Sequence, residues 1–247
     1  TMKNIRSKEH AGFAHFTLAA QKIQAEAKKN KCPRNPSYLI DLYKSGRAAY
    51  NQFHAFLAKA AQASTTAYVY KTSLGGHPNM KGPYRVLEKG VFKYNDDPTG
   101  PLDLSQVRDL VRGSIIDLTM LGLARIGEHI LASEKVTVCR VKDRFNNPSA
   151  AGWTDMLVNF YFNDDPVKHV CELQLIHFKM LSQRTTQEGH DSYNVYRVRY
   201  VARQTALTPT LLTTIMRHYA CCVNRLLVVD SISPSKTCRD QFDSGLF

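Results

Sequence analysis

The chain contains no apolar run approaching the roughly 20 residues that a membrane-spanning helix requires. A mean hydropathy of −0.33 agrees, and a membrane protein is not expected. Its six cysteines, Cys32, Cys139, Cys171, Cys221, Cys222 and Cys238, include no C-x-x-C pair. Zinc ligands usually stand roughly two to four residues apart, so a structural zinc site is excluded as an expectation. The cysteines are also too sparse for a disulfide scaffold, and Cys139 and Cys171 read as small buried thiols in apolar strands, which favours a reducing compartment. No hydrophobic block of a signal peptide follows the first residues. A cytoplasmic location is therefore expected, with a secreted effector or a piece of a longer protein as the alternatives. No internal repeat is visible. Acids are the other shortage: 21 Asp and Glu face 33 Lys and Arg, a net charge of +12. That surplus implies an anionic partner, leaving nucleotides, RNA, acidic proteins and lipid surfaces open.

With 247 residues, 43% of them hydrophobic, the chain can form one sizeable domain that hides roughly 70–75% of its unfolded surface. Residues 11–30 place Phe13, Phe16, Ala20, Ile23 and Ala27 at helical spacing, with Lys28 and Lys29 suited to a helix C-terminus. A second helix is predicted over 37–63. Residues 1–50 hold ten Lys and Arg against three Asp and Glu, a basic helical surface where RNA or a protein could bind. Residues 68–100, rich in Gly and Pro, read as loops carrying Lys71, Lys81, Arg85, Lys89 and Lys93. A short helix is predicted over 104–110, then strands over 111–117, 135–142, 155–162 and 168–176, with an amphipathic helix over 118–133. The remainder reads as helical, over 178–203 and again from Thr208, where Thr-Pro supplies an N-cap and a first-turn proline. The expected division is a helical extension over 1–66, a core over 67–204, and a C-terminal helix and tail over 205–247. The fold class is α/β or α+β, a sheet layered by helices.

Alternation along 169–175 puts Cys171, Leu173 and Leu175 on one face and Glu172 with Gln174 on the other. A mid-strand carboxylate is costly unless its face is wet or binds something. Asp109 stands just before the strand VRGSIID. Two such acids converging near a cationic loop suit Mg²⁺-assisted transfer of a phosphoryl or nucleotidyl group, since Mg²⁺ takes one or two carboxylates and leaves its other positions to water and phosphate. Residues 142–155, KDRFNNPSAAGWTD, place the single tryptophan in a loop near Lys142 and Arg144, where a ring could stack on a base. His169, His177 and His190 raise a zinc alternative, but His169 and His177 stand eight residues apart along a strand, too far to share an ion.

The ordered set Lys71…Ser73…Lys81…Arg85, then Val107-Arg108-Asp109-Leu110-Val111-Arg112, then Lys142-Asp143-Arg144-Phe145 with Pro148 and Gly152-Trp153, then Glu172-Leu173-Gln174-Leu175, and last His190 and Tyr193 resembles the synthetase domain of the RelA/SpoT family. These pyrophosphokinases make guanosine tetra- and pentaphosphate. The resemblance runs over about half the chain. It implies a nucleotidyltransferase-like mixed sheet of four to five strands flanked by helices. It implies that Asp109 and Glu172 are the catalytic, metal-binding acids, with Mg²⁺ (or Mn²⁺) as cofactor. Lys71, Ser73, Lys81, Arg85 and Arg112 would grip the phosphates of ATP. Lys142, Arg144, Trp153, Gln174 and His190 would hold the acceptor. The activity implied moves the β,γ-pyrophosphate of ATP to the ribose 3′-hydroxyl of a nucleotide, GDP or GTP first, with an adenine nucleotide or RNA end as alternatives. A catalytically silent nucleotide- or RNA-binding module is the other reading. Departures gather on the acceptor side: Ser149 where a basic residue is usual, Ala151 for asparagine, Leu157 for histidine, and Ile176-His177 for Arg-Thr. No His-Asp hydrolase motif precedes the region.

Overall fold

Burial alternates along 171–175, while 156–160 is buried on both sides, and the strands build one sheet with an apolar and a more polar face. A computed structural model describes residues 1–70, 80–94, 102–149 and 152–184. Lys71, Ser73, His190 and the helices expected beyond Arg184 lie outside the described residues. The elements are α1 (Met2–Lys8), α2 (His10–Lys29), α3 (Leu39–Ala61), β1 (Tyr68–Val69), α4 (Pro83–Lys93), β2 (Arg112–Asp117), α5 (Met120–Leu131), β3 (Val136–Asp143), β4 (Met156–Phe162), β5 (Cys171–His177) and α6 (Phe178–Arg184). The strand order is β1-β2-β5-β4-β3. Only β2 and β5 pair in parallel; β1–β2, β5–β4 and β4–β3 are antiparallel. This is the mixed sheet flanked by helices that was expected.

The apolar face carries Ile115, Leu173, Leu175, Val158 and Phe160, all fully buried, and α2, α3 and α5 cover it. Phe16, Ile23 and Ala27 recur along one side of α2, and the Phe16 ring meets that of Phe145 edge-on with centroids 5.0 Å apart. Phe53 and Phe56 of α3 reach Phe160 at 5.8 and 5.2 Å. Each such buried ring contributes about 1.5–3 kcal/mol by area alone. The helices expected as an N-terminal extension therefore share one hydrophobic cluster with the sheet.

Two local expectations are corrected. Residues 104–110 are not helical: the backbone is engaged from a distance, with Leu104 N–H donating to Ser37, Ser105 C=O accepting from Asn35, and Leu110 C=O accepting from Lys81. Conversely, part of the expected loop over 68–100 is helix α4. Gly82-Pro83 opens it, with proline in the first turn where its missing N–H costs nothing. Val86 and Leu87 then bury against Leu42, Leu104, Val107 and Leu110 in a second, smaller core.

Candidate active site

The polar face is ordered in two rows by the strand register. One row runs Arg140, Asn159, Glu172 and Arg112 across β3, β4, β5 and β2; the next runs Lys142, Leu157, Gln174 and Ser114. Residues paired in register share a face, and neighbouring strands lie about 4.8 Å apart, so each row spans roughly 14 Å. Arg112 and Lys142 are exposed, and Glu172, Gln174, Ser114 and Arg140 are half-buried. The expected alternation in β5 is observed.

Asp109 enters this site from the irregular segment before β2. Its carboxylate is buried, and Oδ2 accepts from Lys81 Nζ at 2.7 Å and Lys89 Nζ at 2.6 Å. Both lysines are delivered by the small core. Lys81 is pinned by its N–H to Leu110 C=O and by a hydrogen bond from the Tyr43 hydroxyl to its own C=O. Lys89 projects from α4, whose apolar side sits on Val107 and Leu110. Burial alone would raise the Asp109 carboxyl, but Lys89 and Lys81 outweigh it and hold it down at about 2. Burial lowers Lys81 to about 8, against the pull of Asp109. Burial also opposes the Lys89 charge, yet Asp109, Tyr94 and Glu172 leave its pKa raised.

Glu172 follows the reverse course. Burial first, then the Asp109 charge, push its carboxyl up to about 7, only partly offset by Lys89, Lys81 and Arg112. Its backbone N–H donates to Val111 C=O at 2.9 Å, two residues beyond Asp109. The two acids thus act on each other electrostatically, with Lys81 and Lys89 between their fields. One is fixed as an anion and the other is poised near neutrality, a separation that marks acid–base assignments in enzyme sites. Among the described residues, no group of three or more His, Cys, Asp and Glu gathers around a common point. His169 is fully buried against Ser45 Oγ at 2.8 Å and His177 against Glu9 at 3.0 Å, both as core histidines.

The other expected residues divide. Gln174 Oε1 accepts from Ser114 Oγ at 3.4 Å on the polar face. Arg85 pairs with Glu88 along α4 rather than with Asp109. Arg144, expected at acceptor phosphates, is committed within its own loop: Nε meets Asp155 Oδ1 at 2.5 Å and a second nitrogen meets Oδ2 at 2.8 Å. Trp153 donates its indole N–H to the same Asp155 at 2.9 Å and packs against the core. Gly152 turns the loop there with φ +75, a conformation that side-chain-bearing residues rarely adopt. Lys142 lines a shallow depression of about 420 Å³ with Gln24, Asp143, Asn147 and Ser149. Lys89 stands outside the expected set of site residues. Its signal is the i, i+4 spacing from Arg85, which is legible only once 83–93 is read as a helix.

No family model matches the chain, and no curated protein matches it. Among solved structures, the chain is similar to the small alarmone synthetase 1 from Bacillus subtilis bound to its product pppGpp, at 14% identity and a TM-score of 0.47, covering 74% of this chain and 89% of that one. It is also similar to a GTP pyrophosphokinase family protein from Streptococcus pneumoniae, at 13% identity and a TM-score of 0.46, covering 76% and 90%.

Proposed function

We propose that the chain is an ATP-dependent pyrophosphokinase-like transferase of the RelA/SpoT type, moving the β,γ-pyrophosphate of ATP to a ribose 3′-hydroxyl. The observation that carries this reading is the pairing of an ionised Asp109, held by two lysines, with a Glu172 carboxyl raised to about 7. Asp109 and Glu172 belong to two of the motifs that resemble the RelA/SpoT synthetases, 107–112 and 172–175, and these two are neighbours in the sheet. In the reaction, the acceptor hydroxyl oxygen attacks the β-phosphorus and the bond from that phosphorus to the α,β-bridging oxygen breaks. AMP leaves, and the hydroxyl proton passes to a Glu172 carboxylate oxygen. A base with a pKa near the working pH is the efficient one. Lys81, Lys89 and Arg112 spread the charge that develops on the phosphate oxygens.

Mg²⁺ fits the residues present. Asp109 Oδ1 is buried without a hydrogen-bond partner, and no hydrogen bond reaches the Glu172 carboxylate among the described residues. Two carboxylates are the protein share of a typical Mg²⁺ shell. Asp109 and Glu172 would hold the ion, which when bound neutralises phosphate oxygens. The acceptor is a nucleotide, GDP or GTP in the first instance.

The test is incubation with ATP labelled in its γ-phosphate, Mg²⁺, and GDP, GTP, ADP, ATP or RNA in parallel. Labelled acceptor and released AMP are expected. ATP binding without transfer to any acceptor would overturn the enzyme reading in favour of a silent nucleotide-binding module, because the lysine seal on Asp109 Oδ2 would then be its resting purpose.

A further inference from the structure

The segment 30–38 joins α2 to α3 and crosses to the sheet with no regular structure of its own. At one end Cys32, half-buried, meets the buried Cys139, whose thiol donates to the Cys32 sulfur over 3.0 Å. Cys139 is the extra residue of a β-bulge, where the β3–β4 register shifts between Val138 and Arg140. Farther along, Asn35 is buried and makes four anchoring bonds, the longest from Nδ2 to Val170 C=O at 3.4 Å. Its Nδ2 donates to Val107 C=O at 2.8 Å, its Oδ1 accepts from Val170 N–H at 2.7 Å, and its N–H donates to Ser105 C=O at 3.0 Å. Val107 stands two residues before Asp109 and Val170 two before Glu172. One connector therefore braces both acid-bearing segments, and the cysteine pair sits at its root.

We propose that Cys32 and Cys139 form a redox-active dithiol, closed to a disulfide by small-molecule disulfides of the glutathione class, and that closure clamps the 30–38 connector to the sheet. The chemistry of the pair fits an ordered exchange. The hydrogen bond from Cys139 lowers the Cys32 thiol to about 7 against burial, aided by Arg108 and Arg140. The thiolate is the attacking form, and a pKa near the ambient pH suits it best. Cys139 is shifted strongly upward, by its bond to Cys32 and by burial, so it stays protonated until its partner has reacted. The Cys32 thiolate attacks one sulfur of the oxidant disulfide, forming a mixed disulfide and expelling one thiolate. Cys139 then loses its proton and attacks the Cys32 sulfur, expelling the second. Two protein thiols are oxidised, one external disulfide is reduced to two thiols, and the two protons end on those leaving thiols. This proposal stands independently of the transferase reading.

The test equilibrates the whole chain in glutathione buffers of graded ratio, traps free thiols by alkylation, and maps peptides by mass spectrometry, with melting curves on the same samples. The peptide bearing Cys32 should be joined to that bearing Cys139, two hydrogens lighter than their sum and released by dithiothreitol. The bridge closes a loop spanning 107 positions, so oxidation should raise Tm by roughly 5–15 °C. Cys32→Ser, a change in irregular backbone, should abolish both effects. A persistent glutathione adduct on Cys32, a bridge to any other cysteine, or a Cys32–Cys139 bridge that leaves Tm unchanged would overturn the proposal. The wild-type peptide map decides the matter even where a variant folds poorly.

Discussion

Replacing Glu172 by Gln should stabilise the protein at alkaline pH while leaving it unchanged at acidic pH. The reason is proton linkage. In the fold the carboxyl titrates at about 7, against 4.5 for the free side chain, because burial and Asp109 oppose its charge. The folded state therefore holds its proton more tightly than the unfolded chain. Stability contributed by the neutral carboxyl is fully present below pH 4.5 and is lost as pH rises to about 7. Each pH unit in that window removes about 1.4 kcal/mol, for a total of about 3 kcal/mol. Gln keeps the shape and cannot ionise, so Glu172→Gln escapes that loss. Thermal melts at pH 5 and pH 8 read the difference. At pH 5 the variant should fall within about 1 kcal/mol of wild type, and at pH 8 its Tm should be higher by roughly 5–10 °C. An equal Tm difference at the two pH values, or a variant less stable at pH 8, would refute the placement of Glu172 in a field dominated by burial and Asp109. A residue kept at a cost to stability is the expected signature of a working group.

Two further perturbations separate catalytic from structural roles. Lys81→Met removes one of two cations from a buried carboxylate; the side chain is 6% exposed, and urea unfolding should register a loss of about 2–3 kcal/mol, with Lys89 retaining part of the pairing. Arg144→Met leaves the fully buried Asp155 without its cation and with only the Trp153 indole N–H among these side-chain donors; the expected outcome is a stability loss of about 3 kcal/mol measured by the same unfolding, with nucleotide affinity changed less than tenfold. A large affinity loss at unchanged stability would return Arg144 to the acceptor site.

The part of the site legible in the sequence is the part written in short-range pattern. Period-two alternation located Glu172 and Gln174 on the face opposite Leu173 and Leu175, as observed. A sheet layered by helices followed from four strands and one crossover helix, and its mixed pairing from the resemblance to the RelA/SpoT synthetases. What failed depended on distant partners or on a local signal with two meanings. Leu104–Leu110 has apolar spacing suggestive of a helix, but its backbone groups are used by Asn35, Ser37 and Lys81, which no local window contains. Helix α4 was hidden because Gly82 and Pro83 were read as loop punctuation, whereas proline at a helix start is favourable. Missing that helix also hid Lys89, the cation bonded to Asp109. Arg144 and Asp155 stand eleven positions apart, and only the folded loop reveals that they satisfy each other.

The assignment of pyrophosphate transfer to Asp109 and Glu172 is tested most directly by the transfer rate of the wild-type chain against Glu172→Gln with the same labelled ATP, Mg²⁺ and acceptor. Transfer by the wild type and a loss of roughly 100-fold or more in the variant are expected, the usual contribution of a positioned base. Transfer that continues unchanged in Glu172→Gln would contradict it.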